Sequence, residues 1–341
     1  MPNRPQSALP CHPEPACLRQ AAGGICFSLA GAAPFGFKSA GFVLLLTLLF
    51  LPAALQAKQK SAIRPRISGI DSVVLYSSDL KSANDFYGTK LGLNIGGSGC
   101  REASRTCFTT NWASRQHIEL EHSDSCPRGD CLKEIVFQTG DAKKLRSYLM
   151  AQGAKASPIS KGRDLSLRFD SQDPEGNRIA FVQFPILAID DLPPGVHVGP
   201  PFLHAGFIVR ERAATEHFYK DILGFRSYWH GGMKDDQTDW VSMQVPDGTD
   251  WIEFMVNVSP NADHHTLGVM NHIALGVPDI HVAEAQLRKT GWTGTEQPKI
   301  GRDGKWQLNL YDPDDTRVEF MEFTPTQKPC CSEYTGPHPK P

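Results

Sequence analysis

Leu203-His204-Ala205-Gly206-Phe207-Ile208-Val209 and Asn271-His272-Ile273-Ala274-Leu275 are short apolar stretches, each with one histidine near its start. Each is followed by a segment of helical spacing and then by strands that end in an apolar run with one glutamate. Those runs are Trp251-Ile252-Glu253-Phe254-Met255 and Arg317-Val318-Glu319-Phe320-Met321. A strand, an amphipathic helix and closing strands that recur at a fixed period mark a modular fold.

Two further copies lie upstream. One opens with Ile70-Asp71-Ser72-Val73-Val74-Leu75-Tyr76 and closes near His117-Ile118-Glu119-Leu120. The other opens with Glu134-Ile135-Val136-Phe137 and closes with Arg178-Ile179-Ala180-Phe181-Val182. From first-strand to last-strand position the separations are 48 (Asp71 to Glu119), 46 (Glu134 to Ala180), 49 (His204 to Glu253) and 47 (His272 to Glu319). Helices are expected around 83–87, 142–152, 216–219 and 280–290, with Gly153, Gly224 and Gly291 as left-handed caps. Asp173-Pro174-Glu175-Gly176 and Asp312-Pro313-Asp314-Asp315 read as turns before the last strands of modules two and four. The expected fold is α+β: four βαβββ modules paired into two domains, 67–185 and 202–324. Each domain is a curled mixed sheet around a cavity, with helices outside. Residues 186–201, rich in Pro, form the linker, and 325–341 a tail.

The chain of 341 residues has a net charge of −2 and no basic block, which gives no electrostatic reason to expect nucleic-acid binding. Residues 1–57 read as a leader. The uncharged apolar run 41–55 is short for a membrane span and suits a signal-peptide h-region, with cleavage near Ala57. The expectation is export, to a periplasm or outside the cell, with membrane contact only through an uncleaved leader. The long segment before the run places the expected translation start further down the chain. Six cysteines follow the leader, an even number that permits disulfides in an oxidising compartment. Cys126 with Cys131 could close a turn, Cys100 with Cys107 could clip two strands, and Cys330 and Cys331 are read as structural.

If modules three and four curl around one cavity, His204, Glu253, His272 and Glu319 converge. Two neutral imidazoles and two carboxylates suit one divalent transition metal: Fe, Mn, Ni, Co or Zn. Two buried carboxylates facing one cavity need a cation. The repeat-equivalent positions in the first half, Asp71, Glu119, Glu134 and Ala180, lack histidine. That half is expected to support the fold or help close the pocket.

The βαβββ repeat, the strand-borne histidines and the glutamates on closing strands resemble the vicinal oxygen chelate superfamily. So do His217-Phe218-Tyr219-Lys220-Asp221-Ile222-Leu223-Gly224-Phe225 and Asn309-Leu310-Tyr311-Asp312-Pro313. This superfamily holds glyoxalase I, extradiol ring-cleaving dioxygenases and drug-resistance proteins. The resemblance implies a metal-dependent enzyme acting on a small molecule chelated through two neighbouring oxygens. A glyoxalase-type isomerase or lyase uses four ligands with a ligating glutamate, Glu253 or Glu319, as base. An extradiol dioxygenase with Fe(II) or Mn(II) would use His204, His272 and Glu319. Its signature tyrosine falls on Asn309 here, with Tyr311 two residues away, and its histidine falls in the region of Gly301-Arg302-Asp303-Gly304. A non-catalytic binding protein is the third class. His230, Asn309, Tyr311 and Arg302 are candidate pocket residues, Trp229, Met233 and Lys299 accompany them, and His264 and His265 are read as a solvated loop. Four modules complete two domains in one chain, so a monomer suffices and a homodimer is compatible.

Overall fold

The computed structural model describes residues 63–96, 105–111, 115–185 and 199–341. The leader, its cleavage site and linker residues 186–198 lie outside the described residues, as does Cys100, one end of the expected Cys100–Cys107 clip. No helix among the described residues is long and apolar enough to cross a membrane.

The strands of the first half are β1 (Ile67–Ser77), β2 (Asn94–Ile95), β3 (Thr106–Asn111), β4 (Gln116–His122), β5 (Leu132–Thr139), β6 (Ser160–Lys161), β7 (Leu167–Gln172) and β8 (Arg178–Gln183). Those of the second half are β9 (Phe202–Ile208), β10 (Arg226–Gly231), β11 (Trp240–Gln244), β12 (Trp251–Met255), β13 (His272–Val277), β14 (Lys299–Ile300), β15 (Trp306–Tyr311) and β16 (Arg317–Glu322). Each half forms one eight-stranded mixed sheet of identical order, β2-β3-β4-β1-β5-β8-β7-β6 and β10-β11-β12-β9-β13-β16-β15-β14. In both, the first strands of the two modules pair antiparallel at the centre, and each pairs parallel with its own module's closing strand. The four-module α+β fold expected from the repeat is the fold observed.

The helices are α1 (Leu80–Asn84), α2 (Ala142–Ala151), α3 (Arg212–Glu216), α4 (His264–Met270) and α5 (Ile280–Lys289). Helices α1 and α3 run on into π-helical turns, Asp85–Lys90 and His217–Ile222. Those turns bury Phe86 with Tyr87, and Phe218 with Tyr219. Helix α4 replaces the solvated loop expected at His264 and His265. The Asp263 carboxylate accepts from Thr266 N at its first turn and so caps it. Gly153, Gly224 and Gly291 have φ of 84°, 77° and 86°, the left-handed conformation that ends a helix without a Cβ clash.

One apolar core spans both sheets, with Phe137, Phe181 and Ile118 of the first half in the same cluster as Phe207, Phe225 and Phe254 of the second. The halves also exchange one matched hydrogen bond each way. Tyr87 of module one donates to Asp312 in module four at 2.9 Å, and Tyr219 of module three donates to Asp173 in module two at 3.1 Å. The turn before each closing strand of modules two and four therefore anchors the helical segment of a module in the other half.

The register corrects one repeat alignment. Glu253 pairs with Gly206, two residues beyond His204, whereas Glu119 pairs with Val74, two residues beyond Ser72. Ser72, not Asp71, is the counterpart of His204. An irregularity in the pairing of β1 between Ile70 and Ser72 displaces the count by one. Cys126–Cys131 is bridged across its turn as expected, and Cys330 is bridged to its neighbour Cys331.

Burial pushes the Asp312 carboxyl up to about 7, against the lowering effect of hydrogen bonds from Thr316 and Tyr87. A carboxyl raised above its unfolded value of roughly 3.9 stabilises the fold fully below that value, and the contribution is lost as pH rises through the folded one. Stability is expected to decline between about pH 4 and pH 7. Urea midpoints over that range should fall less steeply in Asp312→Asn than in the parent; equal slopes would remove Asp312 as a source.

Candidate metal centre

Two cross-strand rows on one face of the second sheet carry the site. The first runs Ser242, Glu253, Gly206, His272 across β11, β12, β9 and β13. The second runs His204, Ala274, Glu319, Asn309 across β9, β13, β16 and β15. Neighbours in a row are register partners, so their side chains project from the same face. The rows repeat one pattern in opposite directions: a polar residue, a glutamate, a small residue, a histidine.

The small residues are required by space. A Cβ built on Gly206 would stand 2.0 Å from Cε1 of His272, because the imidazole lies over the bare backbone. Ala274 occupies the matching place next to His204. The two imidazoles meet with Nε2 atoms 3.0 Å apart. Glu253 Oε2 lies 3.6 Å from His272 Nε2 and 3.9 Å from His204 Nε2, and Glu319 Oε2 lies 3.8 Å from His204 Nε2. One ligand atom each from His204, His272 and Glu319 lies within 4.8 Å of the others, and all three residues are buried. The sequence-predicted quartet is thus assembled, with Glu253 the most exposed of its side chains at 14%.

Burial holds both histidines well below the ordinary imidazole range, with Arg317 a further lowering charge on each. Both rings are therefore neutral and offer nitrogen lone pairs. Met270 O lies 3.1 Å from His272 Nδ1, which as the protonated nitrogen donates to it and leaves Nε2 bare for the cavity. Burial, with the negative charges of Glu253 and Asp303, pushes the Glu319 carboxyl up to about 7 even with Arg317 opposing. Neutral imidazoles facing each other beside a carboxylate whose ionisation is strained are a donor set short of a cation. The residues fit a divalent metal of borderline hardness.

The cavity above this face has a volume of about 330 Å³. Its aromatic wall comes from Tyr228, Trp229, Trp240, Trp251 and Tyr334, and Lys299, Arg302 and Arg317 supply positive charge. Asn309 and Arg302 line it as expected, and so do Trp229, Met233 and Lys299. Arg302 is partly engaged, donating to Gly232 O and paired with Asp235. Two candidates lie elsewhere. His230 is exposed on edge strand β10. Trp229 pairs with Ser242 in the row of the site, so alternation turns His230, which pairs with Val241, to the other face. The irregularity between Ser227 and Trp229 leaves Tyr228 buried beside Trp229. Tyr311 ends β15, faces His265 with ring centroids 5.7 Å apart, and lines a different cleft beside Lys81 and Asp312. His264 and Asp315, the partners of that connector, are likewise remote: His264 Nδ1 lies 2.8 Å from Gly129 O, and His265 pairs with Asp315 at 3.7 Å.

Sequence reading missed the tail. Residues 326–338 bind the loop at Gly304 and edge strand β10, through Thr326 N to Gly304 O, Cys330 N to Arg302 O and Thr335 N to Tyr228 O. This brings Tyr334 into the cavity wall and His338 to 2.6 Å from Tyr228. No period or motif signals such a docking.

The matching face of the first half answers burial differently. Val74 and Val136 stand where the second half has Gly206 and Ala274, and Ser72 where it has His204. Arg105 Nη1 binds Glu119 at 2.6 Å, His117 Nε2 lies 2.9 Å from the same carboxylate, and Arg168 Nη2 binds Glu134 at 2.5 Å. Burial raises the Glu119 carboxyl, yet the bonds from His117 and Arg105 outweigh it and hold it at about 2. Arginines do here what a cation would do in the second half.

The sequence profile of the Glyoxalase/Bleomycin resistance protein/Dioxygenase superfamily matches residues 202–320. No curated protein matches the chain by sequence. Among solved structures, a variant of homoprotocatechuate 2,3-dioxygenase from B. fuscum superposes with a TM-score of 0.58 at 18% identity, covering 81% of this chain and 74% of that one. The anaerobic substrate complex of the Brevibacterium fuscum enzyme with 3,4-dihydroxyphenylacetate gives 0.55 at 18%, covering 81% and 84%. A catechol 2,3-dioxygenase gives 0.55 at 19%, covering 77% and 96%. The shared architecture extends over both halves of the chain, and residues 202–320, which carry the histidine–glutamate centre, match the profile of the Glyoxalase/Bleomycin resistance protein/Dioxygenase superfamily.

Proposed function

We propose that the chain is a metal-dependent dioxygenase of the extradiol type, acting on a small aromatic substrate that presents two neighbouring oxygens. The observation that carries this reading is the buried His204, His272 and Glu319 cluster, three donors that leave one side open to the cavity. Similarity to two-domain ring-cleaving dioxygenases across both halves supports it. This order differs from the one favoured by sequence, which put a four-ligand isomerase or lyase first.

His204, His272 and Glu319 would hold Fe(II) or Mn(II), which supplies Lewis acidity and a route for oxygen activation. The protein's own part is to place and shield the substrate. Trp229, Trp240, Trp251 and Met233 give the ring apolar surface and keep water out. Arg317, whose Nε is buried without a hydrogen-bond partner among the described residues, and Lys299 favour an anionic oxygen at the centre. Asn309, opposite Glu319 in the register, turns its side chain to the cavity where the extradiol signature has tyrosine.

Glu253 favours a second reading. Its carboxylate lies within 4 Å of both imidazole Nε2 atoms and accepts from Ser242 at 3.2 Å. A fourth ligand that can also act as base is what a glyoxalase-type isomerase or lyase uses. We place export of the protein alongside these proposals, on the apolar run 41–55.

Protein from Lys58 onward, purified anaerobically, is expected to hold about one equivalent of Fe or Mn, with none in His272→Ala. Oxygen uptake on catechols by the loaded protein is the expected activity. Ni, Co or Zn without oxygen uptake would transfer the assignment to the isomerase class, and no metal after reconstitution would reject both. Gly206→Ala should lower metal content as severely as His272→Ala, because the added methyl displaces the His272 ring. Its overpacking cost is about 1–3 kcal/mol, read by thermal melting of the metal-free protein. Full metal occupancy in Gly206→Ala would show that the ring can move without loss of the site.

A further inference from the structure

The proposed reaction leaves a conspicuous buried charge unused. Lys305 is 0% exposed. Its Nζ lies 4.5 Å from the ring centre of Trp251 on β12, 5.3 Å from Tyr334 of the tail and 5.5 Å from Tyr228 on β10. It stands 3.5 Å from the Tyr228 hydroxyl oxygen. An ammonium taken from water costs heavily without a paired carboxylate, and aromatic faces offset only part of that. A perturbed group of this kind beside a cavity marks a site where charge or a proton is used. Burial holds the Lys305 ammonium down at about 8, while Asp303 in its own turn, Glu319 on β16 and Glu253 on β12 oppose that shift.

The Tyr228 hydroxyl makes the second contact. It lies 2.6 Å from His338 Nδ1, and His338 is only half-buried, so its ring reaches solvent. Burial, and then the charge of Lys305, hold His338 below the usual imidazole range, which keeps it a neutral acceptor. Tyr228 itself lines the cavity. Burial keeps it a phenol, its proton held above the ordinary tyrosine range. The sequence lacks the tyrosine and histidine that the extradiol pattern places before the metal-ligating glutamate, so that pattern leaves the substrate's proton without an acceptor.

We propose that Tyr228 and His338 form a proton relay from the cavity to solvent, with Lys305 positioned to polarise the tyrosine hydroxyl. The inference rests on the reading of the cavity as one that takes a hydroxyl-bearing substrate. The substrate's O–H bond breaks as its proton moves to the Tyr228 oxygen. In the same step the Tyr228 O–H proton passes to His338 Nδ1, and His338 releases its other ring proton to water. One proton leaves the substrate, one reaches solvent, and no electrons are transferred. Tyr228 touches the substrate and is the catalytic residue. His338 carries the proton onward, and Lys305 acts through Tyr228.

Two experiments test this. With the metal-loaded protein and catechol as probe, kcat should fall on the acid side as His338 protonates and on the basic side near about pH 8 as Lys305 loses its charge. Tyr228→Phe keeps the ring and should lower kcat roughly tenfold or more with little change in KM. His338→Ala should lose the acid limb and recover kcat with added imidazole, which Tyr228→Phe should not. Lys305→Met should lose the basic limb. In the metal-free protein, NMR titration should show His338 below the usual imidazole range and returning toward it in Lys305→Met. Parental kcat and limbs in Tyr228→Phe and His338→Ala would overturn the relay. If the parent binds no metal and turns over no catechol, the dioxygenase reading fails, and the titration decides the relay alone: a His338 indifferent to Lys305→Met overturns it.

Discussion

The cavity exists because β9 and β13 pair antiparallel in one particular register. That pairing puts Gly206 opposite His272 and Ala274 opposite His204, so each imidazole has a small neighbour and the two Nε2 atoms meet 3.0 Å apart. A slip of one residue would turn both histidines to the other face. The parallel partners β12 and β16 then bring Glu253 and Glu319 into the same two rows. Four donors converge although none is closer than 19 residues to the next in sequence, and the sheet supplies all of the convergence. Burial does the rest: it keeps the histidines neutral and raises the Glu319 carboxyl, a balance that a divalent cation would resolve.

The first half has the same strand order and a different solution to buried acid. Its Glu119 and Glu134 are tied to Arg105 and Arg168, and Val74 and Val136 fill the space that imidazoles would need. Repacking of this kind keeps the half as a scaffold. It contributes Phe137 and Phe181 to the shared core, and Asp173 receives the Tyr219 hydroxyl of the other half. A cost of separating the halves follows, since each would expose apolar surface and leave a buried tyrosine hydroxyl without its acceptor.

The cavity's walls come from more distant parts of the chain. Trp251 packs against His204 with ring centroids 4.9 Å apart and also faces the Lys305 ammonium, so one indole joins the metal centre to the proposed relay. The tail completes this arrangement through Tyr334, whose hydroxyl donates to Asp303 O at 3.0 Å, and through His338. Substrate binding, water exclusion and proton release would thus depend on a segment with no regular secondary structure.

By itself the sequence determined the repeat, the fold class and the four donors, because strand alternation, glycine-capped helices and near-equal separations are local and periodic signals. It placed Asn309 and Arg302 at the cavity for the same reason, since both lie on or beside module-four strands. Only tertiary structure decided that Ser72 rather than Asp71 matches His204, because an irregularity in β1 shifts the pairing without altering composition. It also decided that His230 faces away from the centre, since which side of a strand is inward depends on its partner's register. Tyr311, on the same side of β15 as Asn309, lies past the cavity at the strand's end. The docking of Tyr334 and His338 was beyond sequence reading too. Contacts between a tail and a strand some hundred residues earlier are set by complementary surfaces, which no local pattern encodes.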